Sequence, residues 1–199
     1  MPVNKEFSSG KIKVMEIIRS FFAIDLPEDM LESIQRMIEQ LQNNMLSVKW
    51  SKPHNLHITL QFLKDFRTDG LMALIENVRK TLEDTPPFEI ELNHLELFPN
   101  SEHPRFISIA PKSNEALAIV AERIGQGILA THYPIETRAF RPHLTLGKFN
   151  FAPPAHFSFK NITLPPNKNF WVNEIVFYQS SPTEDGPRYI PLKRIELKE

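Results

Sequence analysis

Asn55-Leu56-His57-Ile58-Thr59-Leu60-Gln61-Phe62 and Arg141-Pro142-His143-Leu144-Thr145-Leu146-Gly147 decide how this chain is read. The same pattern, His-x-Thr-Leu with an apolar x, occurs twice, 86 residues apart, once in each half. Polar and apolar residues alternate in both copies, as in a half-buried strand. Side chains alternate between faces, so His57 and Thr59 point one way and Leu56, Ile58, Leu60 and Phe62 the other. In the second copy His143 and Thr145 share a face, opposite Leu144 and Leu146. A lone His-x-Thr on a strand is ordinarily a half-buried polar pair. Two copies on apolar strands point instead to a site. If the strands meet across a pseudo-twofold cleft, two imidazoles and two hydroxyls converge.

That constellation fits phosphoryl chemistry. A neutral imidazole takes a proton from water or a hydroxyl, and an imidazolium gives one to a leaving oxygen. Both ionisations lie near neutrality, so a pair holds opposite states at once. Threonine hydroxyls donate to non-bridging phosphate oxygens. The rate is then expected to peak between two pKa values near 6.5.

Composition narrows the field from another side. The chain has no cysteine, which removes thiolate nucleophiles, disulfides and Cys-based zinc or iron–sulfur sites. Its 23 Lys+Arg balance 24 Asp+Glu, giving a net charge of −1, so non-specific binding along nucleic acid is not expected. Seven histidines remain as groups that titrate near neutral pH. No apolar run reaches the length of a membrane span. Residues 1–16 read as a flexible polar extension without a secretory core, and the chain as cytoplasmic.

Around the two motifs, strands are expected at 17–24, 47–50, 56–63, 88–97, 105–110, 144–149, 157–164, 171–179 and 188–197. Three amphipathic helices are expected. The first opens at Pro27 and carries Met30, Leu31, Ile34, Met37, Ile38, Leu41 and Met45. The second carries Leu71, Leu74, Ile75, Val78 and Leu82, and the third Leu117, Val120, Ala121, Ile124 and Ile128. Strands outnumber helices and are often adjacent, which implies an α+β fold with largely antiparallel sheets and helices on the outer faces. Residues 17–199 read as one domain of two lobes.

The two motifs, in this order and context, resemble the 2H phosphoesterase superfamily, and within it the RNA 2′,3′-cyclic phosphodiesterase (LigT-like) family. The resemblance runs from about Arg19 to Leu197. It includes Phe21-Phe22-Ala23-Ile24-Asp25-Leu26-Pro27, Lys49-Trp50, Leu97-Phe98-Pro99, Pro104-Arg105 and Arg188-Tyr189-Ile190-Pro191-Leu192. It implies a bilobal fold with a cleft between pseudo-symmetric lobes, and hydrolysis of a 2′,3′-cyclic phosphate at an RNA 3′ end to a 2′-phosphomonoester. It implies His57 as proton donor to the leaving 3′-oxygen and His143 as proton acceptor from water. Thr59 and Thr145 would bind phosphate, and Phe22 would stack on the terminal base. No cofactor and no metal are implied, and a monomer is expected. Related enzymes act on small cyclic nucleotides or 2′-5′ linkages, and 2′-5′ ligation occurs in the family. Where the family often has Arg, this chain has Lys148. It keeps the phosphate-binding charge without the planar two-point grip. Strict alternation also puts Lys148 on the face opposite His143.

The remaining candidates read as structural. His54 and His57, three apart on an extended segment, face differently and make a poor metal pair. His94, His103, His132 and His156 read as loop or surface residues. Trp50 and Trp171 read as core anchors. Lys49, Lys52, Arg138 and Arg141 read as solvated charges. Gly125-Gln126-Gly127 falls within a helix and lacks phosphate-loop spacing.

Overall fold

The structure is a computed structural model that describes residues 16–42, 47–136, 138–151, 159, 162–165, 168–184 and 186–198. Among the described residues, nine strands form one sheet: β1 (Ile17–Asp25), β2 (Val48–Trp50), β3 (His57–Arg67), β4 (Phe88–Phe98), β5 (Phe106–Pro111), β6 (Leu144–Phe149), β7 (Asn169–Val172), β8 (Glu174–Thr183) and β9 (Gly186–Glu196). The described residues also form three α-helices: α1 (Glu28–Gln42), α2 (Leu71–Thr81) and α3 (Glu115–Leu129). The strand order is β7-β4-β5-β6-β3-β1-β8-β9, with β2 also on β6, and every pairing is antiparallel. The fold is α+β, as the strand-rich sequence implies. Of the extension expected over 1–16, residues 1–15 lie outside the described residues, as do Met45 and His156.

The helices cover one face of the sheet. Met30, Ile34, Met37, Ile38 and Leu41 of α1 are buried, as are Leu74, Ile75 and Val78 of α2. Glu28 and Asp29 place negative charge at the N-terminal end of α1, where the helix dipole favours it. The Asn114 side chain caps α3 by accepting from Leu117 N at 3.1 Å. Gly127 lets α3 lie against α2, because a Cβ there would stand 2.7 Å from the Val78 Cα. These stripes share one core with Ile24, Ile58, Leu60, Leu144 and Leu146. The histidine-bearing side of β3 and β6 is therefore the face away from the helices.

Two halves of the sheet meet at a narrow seam. β3 and β6 share the single pair Ile58↔Leu144, after which β6 takes β2 as its neighbour on that side. Both partners at the seam are fully buried. Their polar neighbours in sequence, His57, Thr59, His143 and Thr145, thus stand at the junction of the two halves.

Four expectations are corrected. The run 171–179 is two strands, parted at Asn173: β7 pairs with β4, whereas β8 pairs with β1 in the other half. Trp171 is no core anchor but is 60% exposed at the β7 edge, while Trp50 is partly buried against the core. Phe62 leaves the apolar face, because the β1–β3 register shifts by one residue between Gln61 and Thr59; it is 52% exposed beside Phe21. Of the strand expected over 157–164, residues 159 and 162–164 are irregular and the rest lie outside the described residues. Among the described residues, no helix is long and apolar enough to cross a membrane.

Candidate functional site

Each histidine is held in the same way. His57 Nδ1 lies 2.8 Å from the Asn55 carbonyl, and His143 Nδ1 lies 2.9 Å from the Arg141 carbonyl. A carbonyl only accepts, so Nδ1 carries the hydrogen in both rings. Nε2 is left as the nitrogen that gains and loses a proton. In His57 that nitrogen is 3.0 Å from Thr59 Oγ1, close enough for the hydroxyl to donate to the neutral ring. The two-residue offset between carbonyl and imidazole is the same in both halves, so the repeat in sequence becomes a repeat in geometry.

Aromatic rings fix the imidazole planes. Phe21 stacks on His57 at 4.8 Å between centroids, and Tyr189 meets the same ring edge-on at 5.1 Å. Phe98 stacks on His143 at 3.8 Å, and the Arg141 guanidinium sits 4.9 Å from the Phe98 ring. Arg141 also pairs with Glu96, whose other carboxylate oxygen accepts from Ser108 Oγ at 3.4 Å. Arg141 is therefore more than a solvated charge. Its carbonyl fixes the His143 tautomer while its side chain braces Phe98.

A carboxylate stands near each ring. Asp25 pairs with His57 in the β1–β3 register and accepts from the Tyr178 hydroxyl at 2.7 and 2.8 Å. Burial and that acid push Tyr178 upward. Glu96 is the counterpart near His143. Burial nevertheless dominates both imidazoles. His57 is pushed down to about 4, chiefly by desolvation and further by the charge of His143, against the opposing pull of the Asn55 carbonyl and Asp25. His143 is lowered by burial, against the Arg141 carbonyl and Glu96. The contribution of His143 to the His57 shift places the second ring within electrostatic reach of the first across the seam. Both titrate below the 6.5 expected from sequence.

Thr59 and Thr145 fall where alternation puts them, half-buried between core residues, Ile58 and Leu60 for the first and Leu144 and Leu146 for the second. Lys148 escapes the parity that would have buried it. The β5–β6 register shifts between Thr145 and Gly147, so Gly147 and Phe149 turn inward and Lys148 is exposed on the side of Thr145. Phe22 does not reach the site: it is 0% exposed and packs on Phe177 at 4.5 Å, inside the core. The adjacent residue, Phe21, is the one that faces His57. The signal was present in the sequence, since Ile18, Phe22, Ile24 and Leu26 share one apolar parity and Phe21 has the other. Phe98, Glu96, Tyr178 and Tyr189 carried no comparable local signal; they arrive through pairing between distant strands. Among the described residues, no group of three or more His, Asp or Glu side chains is placed to hold a metal ion.

Comparison with known proteins agrees with this geometry. The family model of the 2′-5′ RNA ligase superfamily matches residues 27–184. An RNA 2′,3′-cyclic phosphodiesterase of Methanothermobacter thermautotrophicus is 32% identical over 132 residues, 66% of this chain and 71% of that protein. One of Methanocaldococcus jannaschii is 31% identical over 88% of this chain and 99% of its own length. Among solved structures, E. coli LigT complexed with 3′-AMP superposes with a TM-score of 0.75 at 25% identity, covering 92% of this chain and all of that one. The Thermus thermophilus protein TT0787 shares the fold at a TM-score of 0.77 and 23% identity, over 91% and 98% of the two chains. Extent of match, paired motifs and shared architecture agree, and the chain belongs to the 2′-5′ RNA ligase superfamily.

Proposed function

We infer that this protein hydrolyses terminal 2′,3′-cyclic phosphates of RNA to 2′-phosphomonoesters. The observation that carries the reading is the matched pair of imidazoles, each with Nδ1–H tied to a carbonyl and Nε2 left for proton transfer. The curated relatives named for this activity support it. His143 Nε2 takes a proton from water as the water oxygen bonds to phosphorus. The bond from phosphorus to O3′ breaks, and His57 Nε2–H gives its proton to that oxygen. The net change is one water added, and solvent exchange resets both rings. Thr59 and Thr145 donate to the non-bridging oxygens, and Lys148 adds positive charge beside them. The anionic substrate favours protonation of His57, which is neutral at pH 7 in the free protein.

The test is incubation with an oligonucleotide ending in a 2′,3′-cyclic phosphate, followed by product identification. The 2′-phosphate is expected, and His57→Ala and His143→Ala are each expected to reduce kcat by about 10²–10⁴-fold. A 3′-phosphate product, or either variant at near-native rate, overturns the assignment. The superfamily's ligase name favours one second reading, joining of RNA ends through a 2′-5′ bond, which the same assay detects as a longer product when a 5′-hydroxyl strand is added.

A further inference from the structure

One row of side chains crosses four strands on the histidine face. Phe98 of β4 lies opposite Phe106 of β5, Phe106 opposite Lys148 of β6, and Lys148 opposite Lys49 of β2. The residues beside them in sequence, Ile107, Val48 and Phe149, are buried in the core, so the row itself faces away from it. It begins at the site, where Phe98 stacks on His143. With neighbouring strands about 4.8 Å apart, it runs about 14 Å to Lys49. There a Cβ on Gly186, at the tip of the β8–β9 hairpin, would lie 3.7 Å from Lys49 Nζ.

The charges in the row are unbalanced. Like charges directly opposite on adjacent strands repel. A third cation joins them, since the Arg105 guanidinium stands 6.0 Å from the Phe106 ring. Among the described residues, no carboxylate pairs with Lys49, Lys148 or Arg105. That is notable in a chain whose acids outnumber its Lys and Arg. A row of aromatic rings leading from the reacting centre, then unneutralised cations, matches the two parts of single-stranded nucleic acid: bases that stack and phosphates that need counter-charge.

We propose that this row seats the nucleotide preceding the cyclic-phosphate end, with its base on Phe106 and the linking phosphodiester on Lys49, next to Lys148. The substrate is then a strand of RNA and not a free cyclic mononucleotide. The proposal rests on the phosphodiesterase reading above, and its test separates the two. Hydrolysis of adenosine 2′,3′-cyclic phosphate is compared with that of a triadenylate ending in the same group. The native protein is expected to favour the trinucleotide in kcat/KM by about tenfold at low salt, with the preference shrinking as salt rises. Lys49→Gln is expected to cut the trinucleotide value several-fold and the mononucleotide value far less. Phe106→Leu is expected to lose several-fold on the trinucleotide, with a smaller loss on the mononucleotide. The thermal midpoint of Lys49→Gln should equal or exceed the native one, because the repulsion from Lys148 is removed; this separates a binding defect from a folding one. Equal use of both substrates by the native protein overturns the proposal, as does a Lys49→Gln variant that weakens both alike or neither. If neither compound is hydrolysed, the phosphodiesterase reading itself fails and this inference with it.

Discussion

At the scale of single residues, burial sets the chemistry of the two imidazoles. An acid–base pair in water would titrate near 6.5. Here desolvation carries His57 to about 4 and lowers His143 as well. Since kcat/KM reports the free protein, its pH profile is expected to be bell-shaped with its maximum below pH 6.5. A maximum at or above pH 7, with chemistry rate-limiting, overturns the pairing. The same shift has a consequence for stability. Between pH 6.5 and about 4 the unfolded chain binds a proton at residue 57 that the folded protein does not, so stability rises with pH through that window. Falling pH should therefore cost the fold up to about 3 kcal/mol through His57. In His57→Gln the pH dependence of the thermal midpoint should flatten over that range; an unchanged slope counts against the burial argument.

At the scale of elements, glycine decides how closely neighbours approach. A Cβ at Gly127 would lie 2.7 Å from the Val78 Cα, a backbone atom that moves only if α2 does. Gly127→Ala should destabilise the protein by about 1–3 kcal/mol, read as a lower denaturant midpoint with an unchanged slope. Stability equal to native would show that α2 and α3 slide apart freely. Gly147 plays the corresponding part in the sheet, where a Cβ would stand 2.6 Å from Val48 Cγ1. That close approach keeps β2 on β6 and so holds Lys49 beside Lys148. The register shift at the same point turns Lys148 outward.

At the scale of the whole molecule, two half-sheets joined at Ile58↔Leu144 bring together histidines 86 residues apart. The proposed mechanism takes both proton transfers from imidazole. Activity is accordingly expected to survive a large excess of chelator; full inhibition that zinc reverses would overturn this reading. The sequence by itself determined the paired motifs, the face each His–Thr pair occupies, the three helical stripes and the α+β class. These are local, because periods of two and of 3.6 residues are written along the chain. Only the tertiary structure decided which phenylalanine meets His57, why Lys148 is exposed on the side of Thr145, that 171–179 serves two opposite halves, and how far burial lowers the imidazoles. Each of these depends on register shifts, on pairing between strands far apart in sequence, or on the loss of water around a group. A sequence records none of them locally, because they arise only once the strands are packed.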